Sequence, residues 1–301
     1  MPSTYSIILE GILQRRAFMI GSAAVLADAV LPRVARANVP VPYSYDLSPP
    51  TNSKEAFVKW AVENRGENPK ILSARWDRYI FLRGNNDFVN ARNGRAFLLT
   101  PRDELVLKRD ISRAYERDFH DIGWGVTISG PLVVSRMTST IDVQMGEKVL
   151  EIGTGSGNQS AYLSNLTNKV WTIEIIKPLA ERTRGIYDDL IARGYTEYKA
   201  INTNNADGYY GWEEAAPFDK IIVTCGIDHV PPPLLQQLKS GGLMVIPVGP
   251  PGAQRVLKVT KTQGADGSIT TSREDIYGGK IVPFVPFTKM EGDKIVGTHN
   301  R

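Results

Sequence analysis

The chain has 301 residues, of which 42% are hydrophobic and 23% are charged, and its formal net charge is +4. This composition is typical of a soluble globular protein and excludes the disordered and fibrous classes. No dense basic stripe is present, so we expect no nucleic-acid partner. A single cysteine excludes an internal disulfide, and three widely spaced histidines give no zinc-binding pattern, so no metal site is predicted.

The N-terminal segment 1–37 has the pattern of an export signal. Arg15-Arg16 precedes a modest apolar run, and Ala35-Arg36-Ala37 forms a small-x-small cleavage sequence before Asn38. The arginine pair resembles a twin-arginine signal, so we expect the export machinery as a partner and a periplasmic location. An N-terminal amphipathic helix on a cytoplasmic protein is the alternative. The apolar run is too short and, because of Asp28, too interrupted to span a bilayer. No integral membrane span is predicted in the mature chain.

The next segment, residues 38–75, is assigned to a Pro-rich linker and a short helix. Residues 38–53 contain four prolines together with Ser, Thr and Asn, which favours an extended linker. Residues 54–65 place Phe57, Trp60 and other apolar residues at near-helical spacing. This spacing predicts a short docking helix.

From residue 147 onward, patterns of strand and helix alternate. Such alternation predicts parallel β-α-β units around a buried sheet. The predicted strands are Lys148–Gly153, Val170–Ile175, Lys199–Asn204, Phe218–Cys225 and Leu243–Val248. The predicted helices are Asn158–Leu166, Pro178–Arg193 and Pro233–Leu238.

The C-terminal part has a different pattern, in which strands follow one another across turns that contain glycine. The predicted strands there are Val256–Thr262, Ile269–Asp275 and Ile281–Val285. Consecutive strands of this kind fit an antiparallel edge on a mainly parallel sheet.

A glycine-rich segment, Gly153-Thr154-Gly155-Ser156-Gly157, closes the first of these parallel strands and opens a helix. Glycines there permit a tight turn and let the backbone approach a bound nucleotide. Glu174 ends the next strand, where a carboxylate accepts hydrogen bonds from both ribose hydroxyls of an adenosine-containing cofactor. Because Asn158 occupies the place of the third glycine of dinucleotide folds, S-adenosylmethionine is favoured over NAD. An NAD-dependent oxidoreductase and a plain strand-to-helix turn remain the alternatives.

Three other polar positions allow two interpretations each. The residue pattern alone favours a helix cap or a turn for Ser129. The pair Asp207-Gly208 is either an ordinary turn or a contact to adenine after the third strand. Cys225 and His229 are four residues apart and could form a nucleophile pair, but no third orienting group is evident, so Cys225 is interpreted as a packing residue.

Beyond these motifs, long stretches of the chain resemble the protein-L-isoaspartate O-methyltransferase family. The segment EKVLEIGTGSGNQSAYLSNL is similar to the family's first motif, and residues 206–250 resemble the family nearly throughout. Upstream, LRGNNDFVNA and TPRDELV resemble the N-terminal helical part of the family's fold. Downstream, GAQRVLKVTKTQGADGSI and VPFVPFT resemble its C-terminal strands. The resemblance covers about residues 76–292, which we assign to a methyltransferase domain followed by a tail, 293–301.

This resemblance implies a fold, a cofactor and a reaction. The implied fold is α/β and Rossmann-like, of the class I methyltransferase type. It has a mostly parallel sheet, helices on both faces and an antiparallel C-terminal edge. The implied cofactor is S-adenosylmethionine. The implied substrate is an isoaspartyl-containing protein or peptide, which is methylated on its free α-carboxylate as a step of protein repair.

The resemblance also implies the site residues. The family has a Thr-Ile-Ser-x-Pro element whose serine lies beside the accepting carboxylate, and Ser129 matches that catalytic position. The implied cofactor-binding residues are Ile128, Gly153, Gly155, Ser156, Gly157, Glu174, Asp207, Gly208 and Thr288.

Departures from the family pattern lie more on the acceptor side than on the cofactor side, where Ala206 precedes Asp207 in place of the usual Gly. Gly130 replaces the usual Ala or Gln, Leu132 replaces a frequent His or Tyr, and Val126 stands where Gln is common. These departures leave open a methyltransferase of the same fold that acts on another carboxylate. The export signal leaves open a non-catalytic protein that binds the cofactor or a partner, because S-adenosylmethionine is made in the cytoplasm.

Overall fold

The computed structural model describes residues 42–291 and 294–297, with side chains described as far as residue 288. The predicted export signal, residues 1–37, lies outside the described residues, as does most of the predicted tail, 293–301. Among the helices of the described ranges, none combines the length and the apolar character needed to cross a membrane.

The described residues form seven α-helices and eleven β-strands, numbered in chain order. The helices are α1 (Lys54–Arg65), α2 (Pro69–Gly84), α3 (Ala91–Leu99), α4 (Pro131–Ile141), α5 (Asn158–Ser164), α6 (Lys177–Ala192) and α7 (Pro232–Gln237). The strands are β1 (His120–Gly123), β2 (Val126–Ile128), β3 (Val149–Ile152), β4 (Val170–Glu174), β5 (Ile201–Asn205), β6 (Phe218–Val223), β7 (Leu238–Val248), β8 (Arg255–Gln263), β9 (Ile269–Asp275), β10 (Thr288–Glu291) and β11 (Lys294–Gly297).

A seven-stranded sheet with the order β5-β4-β3-β6-β7-β8-β9 forms the centre of the fold. The strands from β5 to β7 pair in parallel, whereas β8 and β9 pair antiparallel at one edge. The predicted α/β fold with an antiparallel C-terminal edge is therefore confirmed. The strand order reverses at β3, which has β4 on one side and β6 on the other. Ligands of open α/β sheets bind beyond the carboxyl ends of the strands at such a reversal.

Two apolar clusters cover the two faces of the sheet. Successive strand residues point to opposite faces, so Val149 and Leu150 belong to different clusters. Val149 shares its cluster with residues of α4, α5 and α6, and Leu150 shares the other with Leu234 of α7. Because both faces are covered, the parallel strands carry continuous apolar runs, which is why the sequence pattern detected them.

The N-terminal segment 42–65 packs on the domain, although its first part has the composition of a free linker. The Arg95 side chain donates a hydrogen bond of 2.6 Å to the carbonyl oxygen of Leu47. The predicted docking helix is present as α1, with the bounds Lys54–Arg65. At its end, Arg65 forms a buried ion pair of 2.8 Å with Glu197. Polar contacts at both ends therefore hold this segment in place.

Every element predicted between residues 148 and 275 is present, although its ends can differ: β7 begins at Leu238, which was predicted to end a helix, and not at Leu243. The prediction fails after residue 275. The predicted strand Ile281–Val285 is wrong, because Pro283 and Pro286 lack the N–H groups that a ladder needs. That segment is held by loop contacts instead, such as the 2.8 Å hydrogen bond from the Gly226 N–H to the Val285 carbonyl oxygen. The last hairpin lies further on and pairs β10 with β11, so part of the predicted tail is a strand.

Candidate active site

A cleft made of two adjoining cavities lies at the carboxyl ends of β3, β4 and β6. The larger one, the Glu174 cavity, has about 600 Å³ of empty space, part of which is open to solvent. The smaller one, the Ser129 cavity, has about 430 Å³ of empty space and is also partly open to solvent. The two cavities share Thr127, Gly153, Gly155 and Thr224.

Eight of the ten residues predicted for the site line this cleft. The Glu174 cavity is lined by Gly153, Gly155, Glu174, Gly208 and Thr288. The Ser129 cavity is lined by Ile128, Ser129 and Ser156, and again by Gly153 and Gly155. The two remaining residues, Gly157 and Asp207, each lie next to a lining residue in the sequence.

The glycine loop, residues 153–157, packs closely against Thr224, the residue that follows β6. Gly153 has a φ of +94°, and a Cβ atom on it would be 2.5 Å from the Thr224 hydroxyl oxygen. Gly157 has a φ of +86° at the N-cap of α5, where a Cβ atom would collide with the Tyr187 hydroxyl. Both positions therefore require glycine. Gly157 contributes by letting the helix begin there.

Glu174 holds this loop from the neighbouring strand. Its carboxylate accepts hydrogen bonds from the backbone N–H groups of Gly155 at 2.8 Å and Ile176 at 3.0 Å. Burial raises the pKa of the Glu174 carboxyl, and the backbone N–H groups oppose that rise. Since each carboxylate oxygen has two lone pairs, Glu174 can still accept bonds from a ligand in the cavity.

The pair Asp207-Gly208 follows β5 and begins a short 3-10 helix. The Asp207 side chain accepts a hydrogen bond of 2.9 Å from the Tyr209 N–H and caps this helix. Gly208 lines the Glu174 cavity, and a Cβ atom on it would be 2.5 Å from a methyl carbon of Ile152. The backbone at Gly208 thus forms a wall of the cavity, with Asp207 one residue before it.

Ser129 lies between β2 and α4, at the junction of two cavities. It lines the Ser129 cavity and also an outer cavity of about 730 Å³, whose other walls include Phe119 and Phe284. The N-cap of α4 is Gly130, without a side-chain capping bond, so the helix-cap interpretation of Ser129 is wrong. Within the described residues the Ser129 hydroxyl has no hydrogen-bond partner. It is therefore available to a ligand.

Glu151 on β3 is a lining residue that the sequence analysis missed. It is fully buried and lines the Ser129 cavity. One of its oxygens accepts a hydrogen bond of 2.7 Å from the Thr172 hydroxyl, and the other has no partner in the described part of the chain. Burial raises the pKa of the Glu151 carboxyl to about 8. The signal in the sequence was an acid inside an apolar strand, two residues before Gly153.

The conceivable Cys225–His229 nucleophile pair is not formed. The two ring nitrogens of His229 lie 2.5 Å from Asp228 and 3.0 Å from the Tyr209 hydroxyl. Burial raises the pKa of the Cys225 thiol, which disfavours the reactive thiolate. Cys225 instead lines the Glu174 cavity. In the described ranges no group of three or more His, Cys, Asp or Glu side chains could hold a metal ion.

Comparison with known proteins places this architecture in a family. The family model described as protein-L-isoaspartate(D-aspartate) O-methyltransferase (PCMT) matches residues 82–292. Protein-L-isoaspartate O-methyltransferase 1 of Nitrosospira multiformis is 49% identical over 175 residues, which cover 58% of this chain and 68% of that protein. Protein-L-isoaspartate O-methyltransferase 2 of Polaromonas sp. is 44% identical over 191 residues, which cover 62% of this chain and 83% of that protein.

A solved structure shares the fold. The Plasmodium falciparum PCMT in complex with S-adenosyl-L-homocysteine aligns with a TM-score of 0.57 at 20% sequence identity. The alignment covers 70% of this chain and 96% of that one. On the match of the family model and the identity to these relatives, the chain belongs to the protein-L-isoaspartate(D-aspartate) O-methyltransferase family.

Proposed function

We propose that this chain transfers a methyl group from S-adenosylmethionine to the free α-carboxylate of isoaspartyl residues in damaged proteins or peptides. The observation that carries the proposal is the unbonded hydroxyl of Ser129, which lies between the cleft and the outer cavity. The reaction is the one named by the relatives, and the S-adenosyl-L-homocysteine complex of the Plasmodium protein supports the cofactor.

The cleft residues fit S-adenosylmethionine. The Glu174 cavity offers a carboxylate for ribose hydroxyls and apolar walls, such as Ile176 and Phe287, for a nucleoside. The adjoining Ser129 cavity contains the unpartnered oxygen of Glu151. With a pKa of about 8, this carboxyl is mostly protonated at neutral pH, and the ammonium group of the cofactor's amino-acid part would stabilise its ionised form.

The reaction requires alignment more than proton transfer. The cofactor supplies an electrophilic methyl group on a sulfonium. The accepting α-carboxylate has an ordinary pKa of about 3.5 and is ionised at neutral pH, so no general base is needed. Ser129 can donate a hydrogen bond to this carboxylate and fix its direction. Apolar side chains beside Ser129, Val133 and Phe284 among them, would partly desolvate the accepting carboxylate.

The outer cavity supports a peptide acceptor. It continues from Ser129 along Val133 and Phe284 toward solvent, where Phe119 is exposed. The family departure at Gly130 has a local cause, because a Cβ atom there would collide with the Arg117 carbonyl oxygen. Gly130 therefore adapts the loop to its own surroundings, and the change does not require a different acceptor.

The decisive experiment offers the full chain methyl-labelled S-adenosylmethionine and two peptides that differ only in Asp or isoAsp. Label on the isoAsp peptide alone, in a base-labile ester, is the expected result. Label on another carboxylate would support the alternative acceptor. Label on neither peptide, with cofactor binding intact by calorimetry, would overturn the proposed activity.

We also propose that the Arg15-Arg16 segment directs export to the periplasm, and that the export machinery is therefore a partner. The support is the signal pattern before Asn38 in the sequence. Cell fractionation and N-terminal sequencing of full-length protein test it, with both arginines changed to lysine as the matched variant. A mature N-terminus at Asn38 is expected. An uncleaved cytoplasmic chain would contradict export.

A further inference from the structure

Three arginines between residues 65 and 102 are buried, and two of them are paired with carboxylates. Arg65 lies 2.8 Å from Glu197. Arg75 lies 2.5 Å from Glu67 and donates further hydrogen bonds to neighbouring groups. This pairing follows the general rule that a buried charge is stable only with a partner of opposite sign.

Arg102, the third buried arginine, has no such partner. Its side chain is 2% exposed, and its Nε donates to the carbonyl oxygen of Ala114. Both of its terminal nitrogens lack a hydrogen-bond partner in the described part of the chain. Burial lowers the pKa of Arg102 to about 9, so the guanidinium is still protonated at neutral pH. A full positive charge is therefore buried without a neutralising group among the described residues.

This guanidinium lines a small cavity with few other free donors. The Thr100 hydroxyl donates to the Ala96 carbonyl oxygen. The hydroxyls of the two lining tyrosines, 115 and 162, are also bonded, to Asp103 and to the Asn93 carbonyl oxygen. The donors left to the cavity are the Arg102 guanidinium and the Asn158 side-chain amide. The remaining lining residues are apolar.

We propose that this cavity binds a small monovalent anion of halide size between Arg102 and Asn158. Asn158 and Val134 line both this cavity and the Ser129 cavity, so the two cavities adjoin. We assign the anion to solvent, and the binding of two cofactor analogues distinguishes it from the cofactor's own carboxylate. The proposal accounts for a polar residue at position 158, directly after the glycine loop. An anion bound to the Asn158 side chain would stabilise the first turn of α5. Because α5 directly follows the glycine loop, it would also stabilise this loop in the cleft.

Thermal unfolding of the full chain in sodium bromide and in sodium gluconate, at equal ionic strength, tests the proposal. Bromide should raise the melting temperature by about 2–4 °C. Arg102→Met should abolish this difference, whereas Arg255→Met, at an exposed arginine of β8, should keep it. Equal melting temperatures of the unmodified chain in the two salts would overturn the proposal.

Anomalous diffraction from a crystal of the unmodified chain soaked in bromide tests whether the anion binds in this cavity, and it does not depend on the folding of Arg102→Met. The expected result is an anomalous peak within hydrogen-bond distance of an Arg102 terminal nitrogen. Water alone in the cavity would overturn the proposal. A second result would also overturn the proposal: Arg102→Lys binds S-adenosylhomocysteine more weakly but binds methylthioadenosine, which lacks the carboxylate, as the unmodified chain does. The cofactor's carboxylate would then be the anion that Arg102 binds. None of these measurements uses methyl transfer, so their failure is distinct from failure of the proposed activity.

Discussion

The Glu174 carboxylate accepts a 2.8 Å hydrogen bond from the Gly155 N–H, so one side chain both lines the cofactor cleft and holds its glycine loop. The contact is possible because β3 and β4 are parallel neighbours, which brings the residues that follow them to the same edge of the sheet. Binding and loop geometry are therefore coupled at this residue, and its substitution should affect both.

Glu174→Gln should weaken binding of S-adenosylhomocysteine by about ten- to a hundredfold. The reason is that hydrogen bonds to a charged group contribute about 1.5–3 kcal/mol each and the neutral amide weakens them. Calorimetry measures the change. Glu181→Gln, at an exposed residue of α6, is the matched control and should bind as the unmodified chain does. An unchanged Kd for Glu174→Gln and Glu174→Ala would remove Glu174 from the binding site.

Ser129→Ala should lower kcat by about ten- to a hundredfold while the Kd for S-adenosylhomocysteine changes little. The lost hydrogen bond is worth only about 1 kcal/mol, but misalignment of reacting atoms costs about a hundredfold in rate. Steady-state methylation of an isoAsp peptide gives kcat. Ser129→Thr, which keeps the hydroxyl, should recover part of the rate. Equal losses of kcat and cofactor affinity would contradict an orienting role.

The sequence predicted the sheet because buried parallel strands are continuous apolar runs, and β3, β4 and β6 have that pattern. It failed at Ile281–Val285, where apolar composition suggested a strand. Pro283 and Pro286 remove backbone donors there, and the segment lies beside Gly226, a contact between distant parts of the chain.

The site was predictable only where its residues lie in local motifs. The glycine loop and Glu174 are separated by one helix and a strand, so their spacing revealed them. Thr224 and Phe284 line the same cleft but are distant in sequence. Thr224 directly follows β6, and Phe284 is held by a hydrogen bond from its backbone N–H to the Gln254 side chain, a contact that no local pattern reveals. Glu151 was missed because a charged residue in a short apolar run is also compatible with an exposed strand position.

Binding of S-adenosylhomocysteine should strengthen by up to about tenfold per pH unit between about pH 6 and 7.5, and Glu151→Gln should flatten this dependence. Burial raises the pKa of Glu151 to about 8, and only its ionised form attracts the ligand's ammonium group. Calorimetry at several pH values measures it. A pH dependence that is the same in Glu151→Gln would show that another group titrates.

Glu151 should also make folding stability depend on pH. Its pKa is above the ordinary value of 4.5, so the folded state favours the protonated form. The stabilisation is complete below about pH 4.5 and is lost as pH rises toward about 8, by about 1.4 kcal/mol per unit. Urea unfolding at two pH values should show this slope in the unmodified chain and a smaller slope in Glu151→Gln. Identical slopes in the two proteins would mean that a group other than Glu151 causes the pH dependence of stability.

Arg65→Met should destabilise the chain by about 3–5 kcal/mol, because it leaves the Glu197 carboxylate buried without its partner. Urea unfolding measures the loss. The double variant Arg65→Met/Glu197→Leu should recover most of it, since an apolar pair replaces the ion pair. Lys59→Met, at an exposed residue of the same helix, is the control and should change the free energy of unfolding by less than about 0.5 kcal/mol.

The free energies of unfolding of the Arg65 variants show whether α1 unfolds cooperatively with the methyltransferase domain. Arg65 lies before residue 82, where the match to the family model begins, whereas Glu197 lies within the matched residues. A large loss in Arg65→Met with recovery in the double variant means that the N-terminal extension and the methyltransferase domain unfold together. A loss no larger than that of Lys59→Met would mean that α1 detaches before the domain unfolds. The buried ion pair would then contribute nothing to the stability of the domain.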